Sequence, residues 1–446
     1  MRQRITIFNP GNSNDDILKL VDQTHLDLQT KTDFLQETKS TLATVKKYDL
    51  IRELRITQVR EQIPNKVFSY NYANGFTVNV QPNTLHQLFN KEEFFIQVSQ
   101  LLNDVLGRSI DEKEWIQNVN SVYFYDISDT YTFQYPGWNG VNSEVIDFHW
   151  KNDVVTIKQL HKIPVNSPVS WQLNSDYQEI GLFMIDKTIS SNDDIVLSGI
   201  RVILDENNSD DEYIFKTLFH IKPRHRNIRK IEHNVLPNGL HPKLLTNTTF
   251  TAPIDDDVLE CKLYYYLPLN KSLIFDKYQS VPSGAELVVS NGEDNLELPA
   301  YKIDKWGQEV LFELPSDFSN DIEFTLHSRY QLPHESKKNT EIVNTNPIVF
   351  YGCDVRDSYL LEKSPFDNRL PIGGNYETYF TNNTVFYHFI SSKDKSTFTI
   401  PNGYSTFERI NTISSVAISL GVLMVLAKLI STFFDRTSTD STKKNQ

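Results

Sequence analysis

ISSVAISLGVLMVLAKLISTFF, residues 413–434, is apolar or small throughout apart from Lys428. About twenty residues at 1.5 Å rise cover the roughly 30 Å hydrocarbon core of a bilayer. No other stretch of the 446 residues approaches this length without charges. The chain therefore reads as a large polar body on one membrane helix, followed by a short tail, 435–446. Within the helix Ala417 and Gly421 are four apart, as are Ser415 and Ser419. Small-xxx-small spacing lets a second helix approach closely, so these four residues are expected to face a partner helix.

Working outward, the charges around the helix set its direction. Lys428, Arg436, Lys443 and Lys444 lie at or after its C-terminal end, and only Arg409 closely precedes it. The positive-inside rule then places the tail in the cytosol and the body in the lumen. Lys443 and Lys444, fourth and third from the carboxyl end, look like the dilysine retrieval signal of endoplasmic reticulum membrane proteins. Four N-glycosylation sequons begin at Asn207, Asn247, Asn270 and Asn382. Against this, the N-terminus carries no signal-peptide core. Its longest apolar run, Ile5-Thr6-Ile7-Phe8, is broken at once by Asn9-Pro10-Gly11, which alone would suggest a tail-anchored protein with a cytosolic body. A GPI-anchor signal would end in its hydrophobic tail, whereas 12 residues follow Phe434 here.

The body is rich in aromatics, with 27 Phe and 21 Tyr, which suit pleated, half-buried surfaces. A net charge of -13 argues against nucleic acid as a partner, because such binding rests on neutralising phosphates. The two cysteines, Cys261 and Cys353, form a disulfide if the body is lumenal, or are two free buried thiols if it is not.

The mainly β expectation divides the body in two. Residues 1–190 read as an α+β domain, with alternating strands at 4–8, 52–57, 76–80, 122–125, 131–135, 145–150 and 154–157. Phe94, Phe95, Val98, Leu101, Leu102 and Val105 recur at helical spacing, and Gly107 would stop that helix. Residues 191–395 read as an antiparallel β-sandwich, with strands at 195–204, 213–220, 259–267, 285–289, 310–314, 322–330 and 348–351. Residues 396–412 read as a polar stalk to the membrane helix, 413–434, and 435–446 as a cytosolic tail.

No catalytic or cofactor fingerprint emerges: there is no GxGxxG, P-loop, HExxH or GxSxG, and no catalytic, cofactor or metal residues are assigned. Asp193-Asp194, Asp210-Asp211 and Asp255-Asp256-Asp257 could hold a divalent cation, but read as solvated loops. The basic cluster Lys222 to Lys230 also reads as a solvated loop. His220, His225, His233 and His241 read as surface or core-edge residues.

An ordered set of landmarks from residue 236 onward carries a family resemblance. It runs Asn238-Gly239-Leu240-His241-Pro242-Lys243, Phe275-Asp276-Lys277-Tyr278-Gln279, Glu297-Leu298-Pro299-Ala300-Tyr301, Trp306 with Phe312-Glu313-Leu314, and Thr325-Leu326-His327-Ser328-Arg329-Tyr330. Ser364-Pro365-Phe366 and Asn375-Tyr376-Glu377-Thr378-Tyr379-Phe380 close the set. Ahead of one C-terminal membrane helix, these residues resemble the PIG-X family in its fungal form over roughly 190–434. The resemblance implies a non-catalytic accessory subunit, without cofactor, in the endoplasmic reticulum membrane. Its partner would be the multi-spanning catalytic subunit of GPI mannosyltransferase I, which adds the first mannose to GPI-anchor precursors. A membrane-tethered lumenal chaperone and a lumenal enzyme using the Asp clusters remain the alternatives. Of the landmarks, Gly239 and Pro242 read as turn formers, and Tyr301, Trp306, Phe312 and Tyr330 as sandwich core. His241 and Arg329 read as structural hydrogen bonders.

Overall fold

A computed structural model describes residues 1–441 apart from 10–17, 30–31, 45, 64–66, 69–71, 86–88, 119, 129–130, 139–142, 175–176, 187–193, 206–212, 248–249, 254–256, 316–320, 357–374 and 404–405. The fold is mainly β. The first part runs β1 (Arg2–Asn9), β2 (Leu18–Val21), β3 (His25–Gln29), β4 (Phe34–Ala43), β5 (Ile51–Val59), β6 (Gly75–Pro82), α1 (Lys91–Leu106), β7 (Ile116–Gln117), β8 (Val122–Asp126), β9 (Val145–Lys151), β10 (Val154–Ile163), β11 (Pro168–Gln172), β12 (Tyr177–Ile185), β13 (Ile195–Leu204) and β14 (Ile214–Ile221). The second runs β15 (His225–Leu236), β16 (Lys243–Asn247), β17 (Val258–Asn270), β18 (Leu273–Ile274), β19 (Glu286–Gly292), β20 (Gly307–Leu314), β21 (Ile322–Thr325), β22 (His327–Ser328), β23 (Asn339–Thr345), β24 (Ile348–Val355), β25 (Thr384–Ser391), β26 (Lys395–Pro401) and α2 (Phe407–Ser441).

Eleven strands form the first sheet in the order β14-β13-β12-β1-β4-β10-β9-β5-β6-β8-β7. All its pairs are antiparallel except β1 with β12. Alternation splits its central strands cleanly. On one face Leu54, Ile56, Phe76, Val78, Val80, Phe148 and Trp150 meet α1. Asn90 caps α1 through its side chain, and Gly107 ends it at φ 68° in the left-handed region. The helix buries Phe94, Phe95, Val98, Leu101, Leu102, Val105 and Leu106. Seven such side chains contribute on the order of 10–20 kcal/mol of gross transfer free energy, an upper bound against the extended chain.

The second sheet has eight strands in the order β19-β20-β17-β24-β25-β15-β16-β21, again with one parallel pair, β15 with β25. Its core gathers Tyr265, Leu267, Phe312, Phe324, Val349, Tyr351 and Phe389.

Several expectations change. Strands β13 and β14 lie beyond residue 190 yet extend the first sheet, because β12, β13 and β14 pair as sequential antiparallel neighbours. The change of sheet falls between Ile221 and His225. Residues 131–135 form no strand. Tyr131 instead stacks on Phe76 with ring centroids 3.7 Å apart, so that aromatic alternation serves packing without a ladder. The expected stalk begins with a paired strand: β26 joins β23, and Phe398 and Ile400 are buried in the second core. Tyr301 and Tyr330 are exposed rather than core, because each flanks the loop that Arg329 holds. Arg329 donates to the carbonyls of Leu298 (2.8 Å), Glu293 (3.0 Å) and Asn295. Phe312 is fully buried as expected, and Trp306 packs against Tyr125 and Tyr123 of the first sheet.

The basic cluster is likewise no solvated loop. Arg224, His225 and Arg226 are buried at the crossover between the sheets. Arg224 donates to the Thr384 carbonyl at 2.9 Å, and Arg226 to the Pro223 carbonyl at 2.9 Å and the Tyr387 hydroxyl at 2.5 Å. Lys222 pairs with Asp257 and lies 3.7 Å from Asp194. Among the histidines, His225 and His233 are buried and His220 is exposed.

Candidate functional site: an exposed helix and a polar seam

The helix α2 contains the one candidate membrane span among the described residues, Glu408–Thr432, and none of it is buried within the molecule. A Cβ built on Gly421 would meet no atom within 4 Å. The Ser419 hydroxyl donates to the Ser415 carbonyl at 2.8 Å, so its polar group is satisfied inside the helix. At 100° per residue, Ser415 and Ser419 lie on a face roughly opposite Ala417 and Gly421. The four small residues thus make two narrow stripes, not one.

The remaining predicted sites scatter. Asn247 ends β16 and Asn382 sits in the turn before β25, both exposed. Asn270 is half-buried, its carboxamide oxygen accepting from the Ser272 amide at 2.9 Å. Cys261 and Cys353 face each other across the β17–β24 ladder, with their sulfurs bonded at 2.13 Å. Asn207, Lys443 and Lys444 lie outside the described residues, as do Asp193, Asp210, Asp211, Asp255 and Asp256. No His, Cys, Asp and Glu cluster with metal-binding geometry occurs among the described residues.

The structure brings together charged groups that the sequence reading had not connected. The second face of the first sheet carries Arg55, Thr57, Thr77, Asn79, Asp147 and His149 in register, with Arg55 opposite both Asn79 and His149. This face turns toward the second sheet. Arg55, fully buried, donates to both Asp147 oxygens at 2.9 and 3.1 Å and to the Tyr72 hydroxyl at 2.5 Å. Burial opposes its charge, but Asp147 and then Tyr72 hold its pKa above the ordinary value. Across the seam, Glu377 lies 3.3 Å from His225 Nε2. Burial opposes the Glu377 charge too, but His225, Arg55 and Arg224 hold that carboxyl below its usual range. His225 Nδ1 shares a hydrogen bond of 2.9 Å with His388 Nε2. Burial, and then the nearby His225, keep His388 well below the normal imidazole pKa.

Around these charges the seam is aromatic: Tyr125, Tyr266, Phe350, Tyr376 and Phe386 form one buried cluster with Ala73. The Tyr125 hydroxyl reaches the Asn74 carbonyl and the Thr345 hydroxyl, each at 2.6 Å. Two cations, Arg55 and Arg224, and the anion Asp147 are buried here beside the mostly buried Glu377, so removing any one leaves an uncompensated charge. That is the chemistry of a clamp between two bodies. The signal in the sequence was a charged residue between apolar neighbours on a strand: Arg55 between Leu54 and Ile56, and Asp147 between Ile146 and Phe148.

Comparison with known proteins places this architecture. The family model described as PIG-X / PBN1 matches residues 237–430, the second body after β15 and most of the apolar helix. Protein PBN1 of Candida albicans is 42% identical over 98% of this chain and 99% of its own length. Protein PBN1 of Debaryomyces hansenii is 40% identical over 100% of both chains. Protein PBN1 of Saccharomyces cerevisiae is 33% identical over 48% of this chain and 49% of its own. With two relatives matching from end to end at this identity, the chain belongs to the PIG-X / PBN1 family.

Proposed function

We propose that this protein is a non-catalytic, single-pass accessory subunit of GPI mannosyltransferase I in the endoplasmic reticulum membrane. Its two-sheet body would face the lumen and its tail the cytosol. The observation that carries this reading is the helix α2, whose apolar span Glu408–Thr432 is nowhere buried against the rest of the chain. An apolar helix with small-residue stripes on both sides gains packing only from a partner helix or lipid. The partner would be the multi-spanning catalytic subunit. Binding its folded form, and not its unfolded form, stabilises it by mass action.

Asn247 and Asn382 would carry glycans, Cys261–Cys353 would be held in the oxidising lumen, and Lys443 and Lys444 would return escaped molecules. Depleting the protein should shorten the lifetime of the catalytic subunit, measured by pulse-chase. Unchanged abundance of that subunit with failed mannosylation overturns the stability linkage. An endoglycosidase mobility shift should reveal glycans on the body, and its digestion by protease added to intact microsomes rejects the lumenal placement. Affinity purification should recover one stoichiometric partner; a broad set of clients would favour a tethered chaperone instead.

A further inference from the structure

Where the edges of the two sheets meet, a cleft of about 650 Å³ opens between β6, β7 and β8 on one side and β19 and β20 on the other. Its size falls within the roughly 300–1,000 Å³ range of small-molecule sites. The edges touch closely at one end: a Cβ on Gly292, at φ 113°, would sit 3.1 Å from Ile116 Cδ1.

The floor is a buried carboxylate. Glu309 accepts from the Tyr266 hydroxyl at 2.6 Å, the Tyr379 hydroxyl at 2.7 Å and the Asn291 amide at 3.0 Å. These bonds fix the orientation of Tyr379 and Asn291, which also line the cleft. The Tyr123 hydroxyl, on a residue 6% exposed, approaches the same carboxylate without closing a hydrogen bond of normal geometry. A buried hydroxyl left this way is unfavourable unless a ligand or water completes it. Burial, then Glu309, raise the pKa of Tyr123 and Tyr379, so both remain protonated donors at physiological pH.

The walls carry amides and hydroxyls, chiefly Asn79, Gln81 and Asn120, beside the apolar Val288 and Val289. No Lys, Arg or His occurs among the described lining residues. A phosphate, nucleotide or acidic lipid would find a carboxylate and no counter-charge there, so anions are disfavoured. Each carboxamide offers a donor and an acceptor on one short group, which matches adjacent hydroxyls of a pyranose. Tyr379, half-buried, adds aromatic surface for the apolar face of such a ring, with Val288 and Val289 beside it.

We infer that this cleft is a binding site for an uncharged saccharide, seated against Tyr123 and Tyr379 and hydrogen-bonded by Asn79, Gln81 and Asn120. The cleft would serve that role whichever enzyme the chain accompanies. The test is saturation-transfer NMR on the full-length protein in a sugar-free detergent, with mannobiose, maltose and chitobiose as probes and mannose 6-phosphate as the charged comparison.

At least one uncharged disaccharide should receive saturation at millimolar concentration, and mannose 6-phosphate should bind at least tenfold more weakly. Asn79→Ala and, separately, the more peripheral Gln81→Ala should each weaken binding about tenfold at an unchanged thermal midpoint. Tyr123→Phe, which removes one oxygen, should weaken it severalfold. No transfer to any of the three disaccharides overturns the site, as does transfer indifferent to both amide variants. Tighter binding of the phosphorylated sugar overturns its uncharged class. Displacement by an unstructured polar peptide, with no saccharide binding, assigns the cleft to polypeptide and rejects the inference.

Discussion

The two faces of the first sheet are buried by opposite means. Toward α1, Leu54, Ile56, Val78, Val80, Phe148 and Trp150 make a dry core of interdigitated side chains. One residue along each strand, Arg55, Asp147 and His149 turn to the other face and are satisfied by ion pairs and hydrogen bonds. A dry face tolerates any apolar residue of similar volume, because dispersion and hydration do not depend on direction. A polar seam accepts one docking geometry, because each buried charge must meet its own partner. The first face therefore supplies stability, and the second fixes how the two bodies sit.

The largest expected effect comes from breaking the seam. Arg55→Met should lower stability by about 3–5 kcal/mol, because Asp147 is left buried without a partner. The double variant Arg55→Met with Asp147→Leu should recover most of that loss in chemical denaturation. A double variant as unstable as the single would show that the charges themselves hold the bodies together. On the dry face, Leu102→Ala should cost about 2–5 kcal/mol through the cavity it leaves. Leu102→Met should cost less than about 1.5 kcal/mol, since volume is kept. If Leu102→Met matched the alanine variant, the dry face would be as particular as the seam.

The smallest effect involves single protons. Burial keeps His233 neutral, with its pKa pushed down to about 4, and also holds His388 on the seam well below the normal imidazole value. Unfolded histidines titrate near 6.5, so the unfolded state binds more protons below that value. This contribution is fully present above pH 6.5 and is lost as pH falls from there toward 4. Thermal midpoints should decline over that window, and His233→Gln should flatten the decline. A profile identical to the parent would remove His233 from the account.

Much of this was legible in the sequence, and the limits have physical causes. Period-two alternation marked the central strands of the first sheet, and the helical stripe with Gly107 marked α1. Residues 131–135 failed because alternating Tyr and Phe look the same whether they pair in a ladder or stack singly on a core. Residues 395–401 failed because only Phe398 and Ile400 are apolar, and a two-stranded ladder with β23 needs no more. The seam failed for a deeper reason. Arg55 and Glu377 are 322 positions apart in sequence, and nothing local announces that their fields will meet. The Lys222 to Lys230 run misled because clustered positive charge ordinarily signals solvent, whereas here Arg224 and Arg226 are consumed by carbonyls and a tyrosine.

The strand β26 ends at Pro401 and α2 begins at Phe407. Six peptide links separate them, and at no more than about 3.6 Å each they form a leash of about 22 Å. With α2 in a bilayer, the folded body cannot drift beyond headgroup level by more than that distance. A companion embedded in the same leaflet would be met at high effective concentration. Weak, reversible touches between the two would then be enough for lasting company.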